Sequence, residues 1–154
     1  MYLSAIISRY LMDDGIGWMV FREIDGELKN PGSPAISYQQ GNWLEERWYR
    51  KDAYKKEILT KPFLRNENIS QVEADPLLQP QLYPTGFHVF KHEIDAESWV
   101  NSISTHTKVV VKRVRYRGVH TEGIVWNWVG GEDVPAFVRV AIQVYIPKNK
   151  EVLK

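Results

Sequence analysis

The chain has 154 residues and reads as a single domain over 1–154, since domains usually hold ~100–200 residues. An apolar share of 44% with 25% charged residues excludes general disorder, and 20 basic against 19 acidic residues leave +1, a balance that advertises neither a membrane nor a nucleic-acid partner. The absence of cysteine excludes disulfides and thiolate chemistry, while six Trp, eight Tyr and five Phe imply either a β-rich core or an aromatic-lined surface.

The first stretch, Met1 to Met12, is apolar-leaning but interrupted by Ser4, Ser8 and Arg9. It lacks the charged leader and unbroken apolar block of a signal peptide, and no run approaches the ~18 apolar residues of a membrane span. A cytoplasmic location, in a host cell, is therefore expected. Leu3, Ile6, Ile7, Tyr10 and Leu11 fit either a strand or a helical period. Trp18 to Ile24 and Glu27 to Lys29 flank Asp25-Gly26, a hairpin signal because Gly tolerates the positive φ of a type I′ turn. Short strands around Ile36–Tyr38 and Trp43–Leu44 flank a turn at Gln40-Gly41-Asn42. Leu44 to Leu59 carries a partial helical stripe.

Residues 50–84 are charged and carry Pro62, Pro76, Pro80 and Pro84, and they read as an irregular insertion. Beyond it, Gly86 to Lys91 reads as a short strand. A helix at about 95–103 follows, with Asp95 as its N-cap and Ala96, Trp99, Val100 and Ile103 on one face. Val109 to Arg117 is expected as a strand ended by Gly118, Ile124 to Val129 as another, and Ala136 to Ile146 as the last. The expected class is α+β, a mainly antiparallel sheet with one helix packed on it.

The strongest chemical signal is a row of arginines. Alternation places Arg113, Arg115 and Arg117 on one face of a strand, and residues 108–117 contain five basic residues and no acid. Guanidinium groups spaced ~6.6–7 Å apart suit phosphate oxygens, which they engage by paired, charge-assisted bonds. Arg139 joins this platform if the last strand lies in the right register. Trp126 and Trp128 share one strand face, where they can stack on a base or fill a core. His120-Thr121 lies close to the end of the row and can hydrogen-bond a ligand.

Recognised catalytic patterns are missing. His88 and His92 lie too far apart on extended chain to share a metal, and His106 and His120 lack the His-apolar-Thr-apolar context of a two-histidine phosphodiesterase. There is no Gly-x-Ser-x-Gly elbow and no phosphate-binding Gly-x-x-x-x-Gly-Lys loop. Neither a metal nor a cofactor is expected.

Tyr83-Pro84-Thr85-Gly86-Phe87-His88-Val89-Phe90, Asp95-Ala96-Glu97 and the Val109–Gly118 segment followed by His120-Thr121-Glu122-Gly123 together resemble small proteins of tailed phages and prophages. Val20-Phe21-Arg22, Gly26-Glu27-Leu28, Pro34, Tyr38 and Gly41-Asn42-Trp43 extend the resemblance, which covers about residues 18–46 and 83–146. More distantly, the chain resembles phage anti-defence proteins that sequester a cyclic ADP-ribose signal without cleaving it. That resemblance implies an oligomer with a nucleotide pocket of arginines and aromatics. The leading expectation is a non-enzymatic protein that holds an anionic, nucleotide-derived small molecule through Arg113, Arg115, Arg117, His120, Trp126, Trp128 and Arg139. The alternatives are an inhibitor or accessory factor binding a host protein, since Arg and Trp are common interface anchors, and a nucleotide-processing enzyme of unrecognised type.

Overall fold

The computed structural model describes residues 3, 5–9, 11–32, 36–45, 54–57, 81–84, 86–102, 108–149, 151 and 153. In chain order these form β1 (Ala5–Arg9), β2 (Gly15–Ile24), β3 (Glu27–Lys29), β4 (Ser37–Tyr38), β5 (Trp43–Glu45), β6 (Tyr54–Glu57), β7 (Gln81–Pro84), β8 (Phe87–Phe90), α1 (Glu93–Ser102), β9 (Lys108–Val129) and β10 (Glu132–Tyr145). Strand pairings among the described residues are antiparallel. The class is α+β, a mainly antiparallel sheet with a single described helix packed on it.

Local chemistry accounts for most of these elements. The first run is a strand, which settles the ambiguity of its periodicity. Asp25 and Gly26 both take positive φ, 52° and 79°, and join β2 to β3 as a tight hairpin. The helix starts two residues earlier than expected, because the carbonyl of His92 accepts from the N–H groups of Asp95 and Ala96. Glu93 and Asp95 thus sit inside the first turn, where negative charge suits the helix dipole. Within Leu44 to Leu59 the described parts are strands, β5 and β6, and β6 pairs with β7 as a separate two-stranded sheet. The rest of the charged 50–84 segment lies outside the described residues, as do Ile103 and His106.

The organising element is β9. It pairs with β10 along most of its length, with β2 along its first half and with β1 along its second. β8 pairs with β10 and meets β2 at the Trp18–Phe90 bridge, so β9, β10, β8 and β2 make a closed circuit of pairings. Closure forces the sheet to curve, and apolar side chains pack on both of its faces. One face buries Phe21, Leu28, Phe87, Val89, Val114 and Tyr116. The other buries Val20, Phe90, Val125, Val138 and Val140 beneath Ala96, Trp99 and Val100 of α1. Phe21 and Phe90 are fully buried on opposite faces, each contributing roughly 1.5–3 kcal/mol of transfer free energy.

Gly118 does not end the arginine strand. It takes φ 68°, and the segment around Met12 to Asp14 satisfies the kinked backbone. Met12 N–H donates to the Val119 carbonyl at 2.7 Å, Val119 N–H to the Asp13 carbonyl at 3.2 Å, and Gly118 N–H to the Asp14 carboxylate at 3.2 Å. The ladder to β10 then slips by one residue, with Ala141 opposite Val119 and Val140 opposite Thr121, which leaves His120 as a bulge. Each interruption turns the chain over. Tyr116 and Val119 therefore share one cluster, whereas Val109, Val111 and Val125 share the other. The expected alternation of β10 is displaced at the same level: Ala141 and Val144 are buried, and Ile142 is exposed.

Candidate functional site: an arginine and aromatic sheet face

Arg113, Arg115 and Arg117 project from the helix-bearing face, since they share the parity of Val109 and Val111 in an unbroken stretch of β9. The helix covers that face over Val109 and Val111, and from Arg113 onward the side chains of the row are exposed. Among the described residues no carboxylate pairs with any of the three arginines.

The ladder sets aromatic side chains beside the row. Trp18 on β2 is directly opposite Arg113. Arg115 lies between Ile16 on β2 and Tyr145 on β10, and Tyr145 is in turn opposite Trp43 on β5. Arg117 pairs in register with Gln143, and its guanidinium lies over the Trp43 ring at 3.8 Å from the centroid. The Trp43 and Tyr145 rings are 5.7 Å apart. The carboxylates at this face are engaged: Glu45 accepts from Gln143 at 3.1 Å, and Glu151 accepts from Tyr145 O–H at 2.6 Å and from Lys148 N–H at 3.1 Å. That last pair raises the Tyr145 pKa through its bond to Glu151 and lowers that of Glu151 through the Tyr145 and Lys148 donors. The result is a strip of exposed cations with aromatic residues in register on the neighbouring strands, its Arg117 end held on the Trp43 ring.

The other nominated residues lie elsewhere. Arg139 is opposite Glu122, not opposite the arginine row. Its Nε donates to Glu122 at 2.8 Å and its Nη1 to the Tyr116 hydroxyl at 2.7 Å, while Asp13 is 3.7 Å away. Burial disfavours the Arg139 charge, but the bonds to Tyr116 and Glu122 outweigh it and the pKa rises. Lys91 adds a second cation 3.6 Å from Glu122. This half-buried ion cluster stitches β8, β9 and β10 together on the face opposite the row. Trp126 and Trp128 point to that opposite face too, because Val125 and Asn127, with which they alternate, face the helix. Asn127 Nδ2 donates to the Asp95 carbonyl at 2.9 Å. Trp126 is half-buried and Trp128 is 53% exposed. His120 is buried in the bulge, its Nδ1 2.8 Å from the Thr121 hydroxyl.

The structure thus keeps Arg113, Arg115 and Arg117 together and separates them from Arg139, Trp126 and Trp128. Trp18, Trp43 and Tyr145 are the ring partners that sequence reasoning missed. Only Tyr145 carried a signal, its place on the non-aliphatic side of the last strand. A small cleft of about 50 Å³ lies between β2, β8 and α1, lined by Met19, Val20, Asn30, Tyr38, His88 and Trp99 among others, and none of the seven nominated residues lines it. Among the described residues no group of three or more His, Cys, Asp or Glu side chains could hold a metal, and no helix is long and apolar enough to cross a membrane. No family model, curated protein or solved structure matches the chain.

Proposed function

We propose that this chain binds an anionic, nucleotide-derived ligand on the Arg113–Arg115–Arg117 face and holds it without transforming it. The observation that carries this reading is an exposed row of three guanidiniums, free of carboxylate partners among the described residues, with Trp18, Tyr145 and Trp43 beside it. Guanidiniums take phosphate oxygens through paired bonds, and aromatic rings take the faces of bases. In the setting that the phage resemblance implies, such a protein acts by sequestration, lowering the free concentration of a nucleotide signal. His120 and Arg139 serve the scaffold in this reading, and Trp126 and Trp128 lie on the opposite face.

A second reading has its own observation. Trp128 and Phe137 are 53% and 39% exposed on the opposite face, near the β9–β10 hairpin, and exposed aromatics of this kind anchor protein partners. Thermal unfolding with nucleoside mono-, di- and cyclic phosphates separates the two, because a ligand that binds only the folded chain raises its melting temperature. A rise that Arg115→Gln abolishes, with the ligand recovered intact after heating, supports capture. No shift with any nucleotide or short oligonucleotide at millimolar concentration sinks it.

A further inference from the structure

Resting on that nucleotide reading, we infer that the ligand of this face is polymeric, a single-stranded oligonucleotide laid along β9 with its phosphates on Arg113, Arg115 and Arg117.

Three features of the face carry the inference. The first is spacing. Alternate residues on a strand stand ~6.6–7 Å apart, so the three arginines are rooted along a line ~13–14 Å long, with the Arg117 guanidinium leaning across β10 to the Trp43 ring. An extended sugar–phosphate chain repeats its charge at a comparable interval, whereas neighbouring phosphates within a nucleoside triphosphate sit at less than half of it. A single nucleotide therefore engages one or two members of the row, and a strand engages all three.

The second is shape. A site that captures a small molecule encloses most of its surface. The arginines instead stand exposed on a sheet face, and none of them lines the cleft of about 50 Å³ formed by described residues. Open sheet faces with rings beside cations suit a chain that lies across them.

The third is the order of side chains. The rows across the sheet read Trp18–Arg113, then Ile16–Arg115–Tyr145–Trp43, then Arg117–Gln143–Glu45. Cations run along β9 and rings flank them on β2, β10 and β5. Phosphates placed on the central strand thus leave bases to either side, beside these rings, whereas a duplex keeps the faces of its bases hidden within its own stack. The overall charge of +1 is no obstacle, because five basic residues lie within 108–117 without an acid.

The test is fluorescence anisotropy with thymidine monophosphate, oligothymidylates of increasing length and a duplex of matched length. Affinity should rise on the order of tenfold for each added phosphate until three are engaged, the scale of one charge-assisted contact, and then level off. The logarithmic salt slope for the longer strands should be about −2, and Arg115→Gln should make it shallower by about 0.7. Trp43→Ala should weaken strand binding roughly ten- to hundredfold. Arg115 is exposed, so its variant keeps the fold and the slope remains readable. If the monophosphate binds as tightly as the strands, the polymeric ligand is wrong and the nucleotide reading survives. If the duplex matches the single strand, base stacking on this face is wrong. If nothing binds at any length, both readings fall together.

Discussion

The guanidinium of Arg117 lies over the ring of Trp43, 3.8 Å from its centroid, although the two residues belong to strands that do not pair with each other. β10 brings them together, with Arg117 opposite Gln143 and Trp43 opposite Tyr145, two residues further on. The stack fixes the end of the arginine row and presents the ring beside it. Arg117→Gln should therefore cost about 0.5–1 kcal/mol in urea unfolding and shift the tryptophan emission spectrum. Trp43→Phe should retain most of that stability. An Arg117→Gln emission spectrum identical to that of the parent protein would show that the stack does not persist in solution.

Arg139 and Glu122 are the half-buried pair whose loss the fold should feel most. Their side chains are 17% and 12% exposed. Arg139→Met should destabilise by about 2–3 kcal/mol, because it strands the Glu122 carboxylate and removes the donor to the Tyr116 hydroxyl, while Lys91 limits the loss. Adding Glu122→Leu should restore much of it, and a double-mutant cycle by urea unfolding measures the coupling. Nucleotide affinity should stay unchanged in both variants. A loss of affinity in Arg139→Met at full stability would return Arg139 to the binding site.

Gly118 should tolerate a side chain poorly. Its φ of 68° strains any L-residue, and a Cβ there would meet Ile142 Cδ1 at 3.3 Å. Gly118→Ala should cost about 1–2 kcal/mol, whereas Gly118→Asn should cost less, since Asn enters the left-handed region more readily. Equal melting temperatures for the parent protein and Gly118→Ala would mean that the kink relaxes freely.

The tie between Tyr145 and Glu151 should give the protein two pH limits at its carboxyl end. The folded pKa of Glu151 is lowered, so its contribution is present above the ordinary carboxylate value and is lost as pH falls through the folded one. The folded pKa of Tyr145 is raised, so its contribution is present below the ordinary phenol value and is lost as pH rises through the folded one. Glu151→Gln should bring the Tyr145 midpoint back toward that of a free phenol. The difference between the near-ultraviolet absorbance titrations of the parent protein and the variant reads this directly. Superimposable titrations would show that the bond does not form.

Sequence by itself determined the class, the hairpin at Asp25-Gly26, the apolar face of α1 and the parity of Arg113, Arg115 and Arg117. All of these depend on neighbours within a few residues, where φ preferences and the periods of strand and helix act directly. The tertiary structure decided what lies across a ladder. Gly118 looked like a terminator because its backbone freedom was legible and the groups of Met12, Asp13 and Asp14 that satisfy the kink were not. The bulge at His120 then undid the reversal made at Gly118, so Trp126 and Trp128 kept the parity opposite to that of the arginines, and the one-residue slip set Arg139 against Glu122. Parity propagates along a strand only while the ladder is regular, and a single inserted residue inverts it. The rings that flank the row, Trp18 and Trp43, come from strands almost a hundred and more than seventy residues away from the arginines they accompany, and only the register of β2, β10 and β5 sets them there.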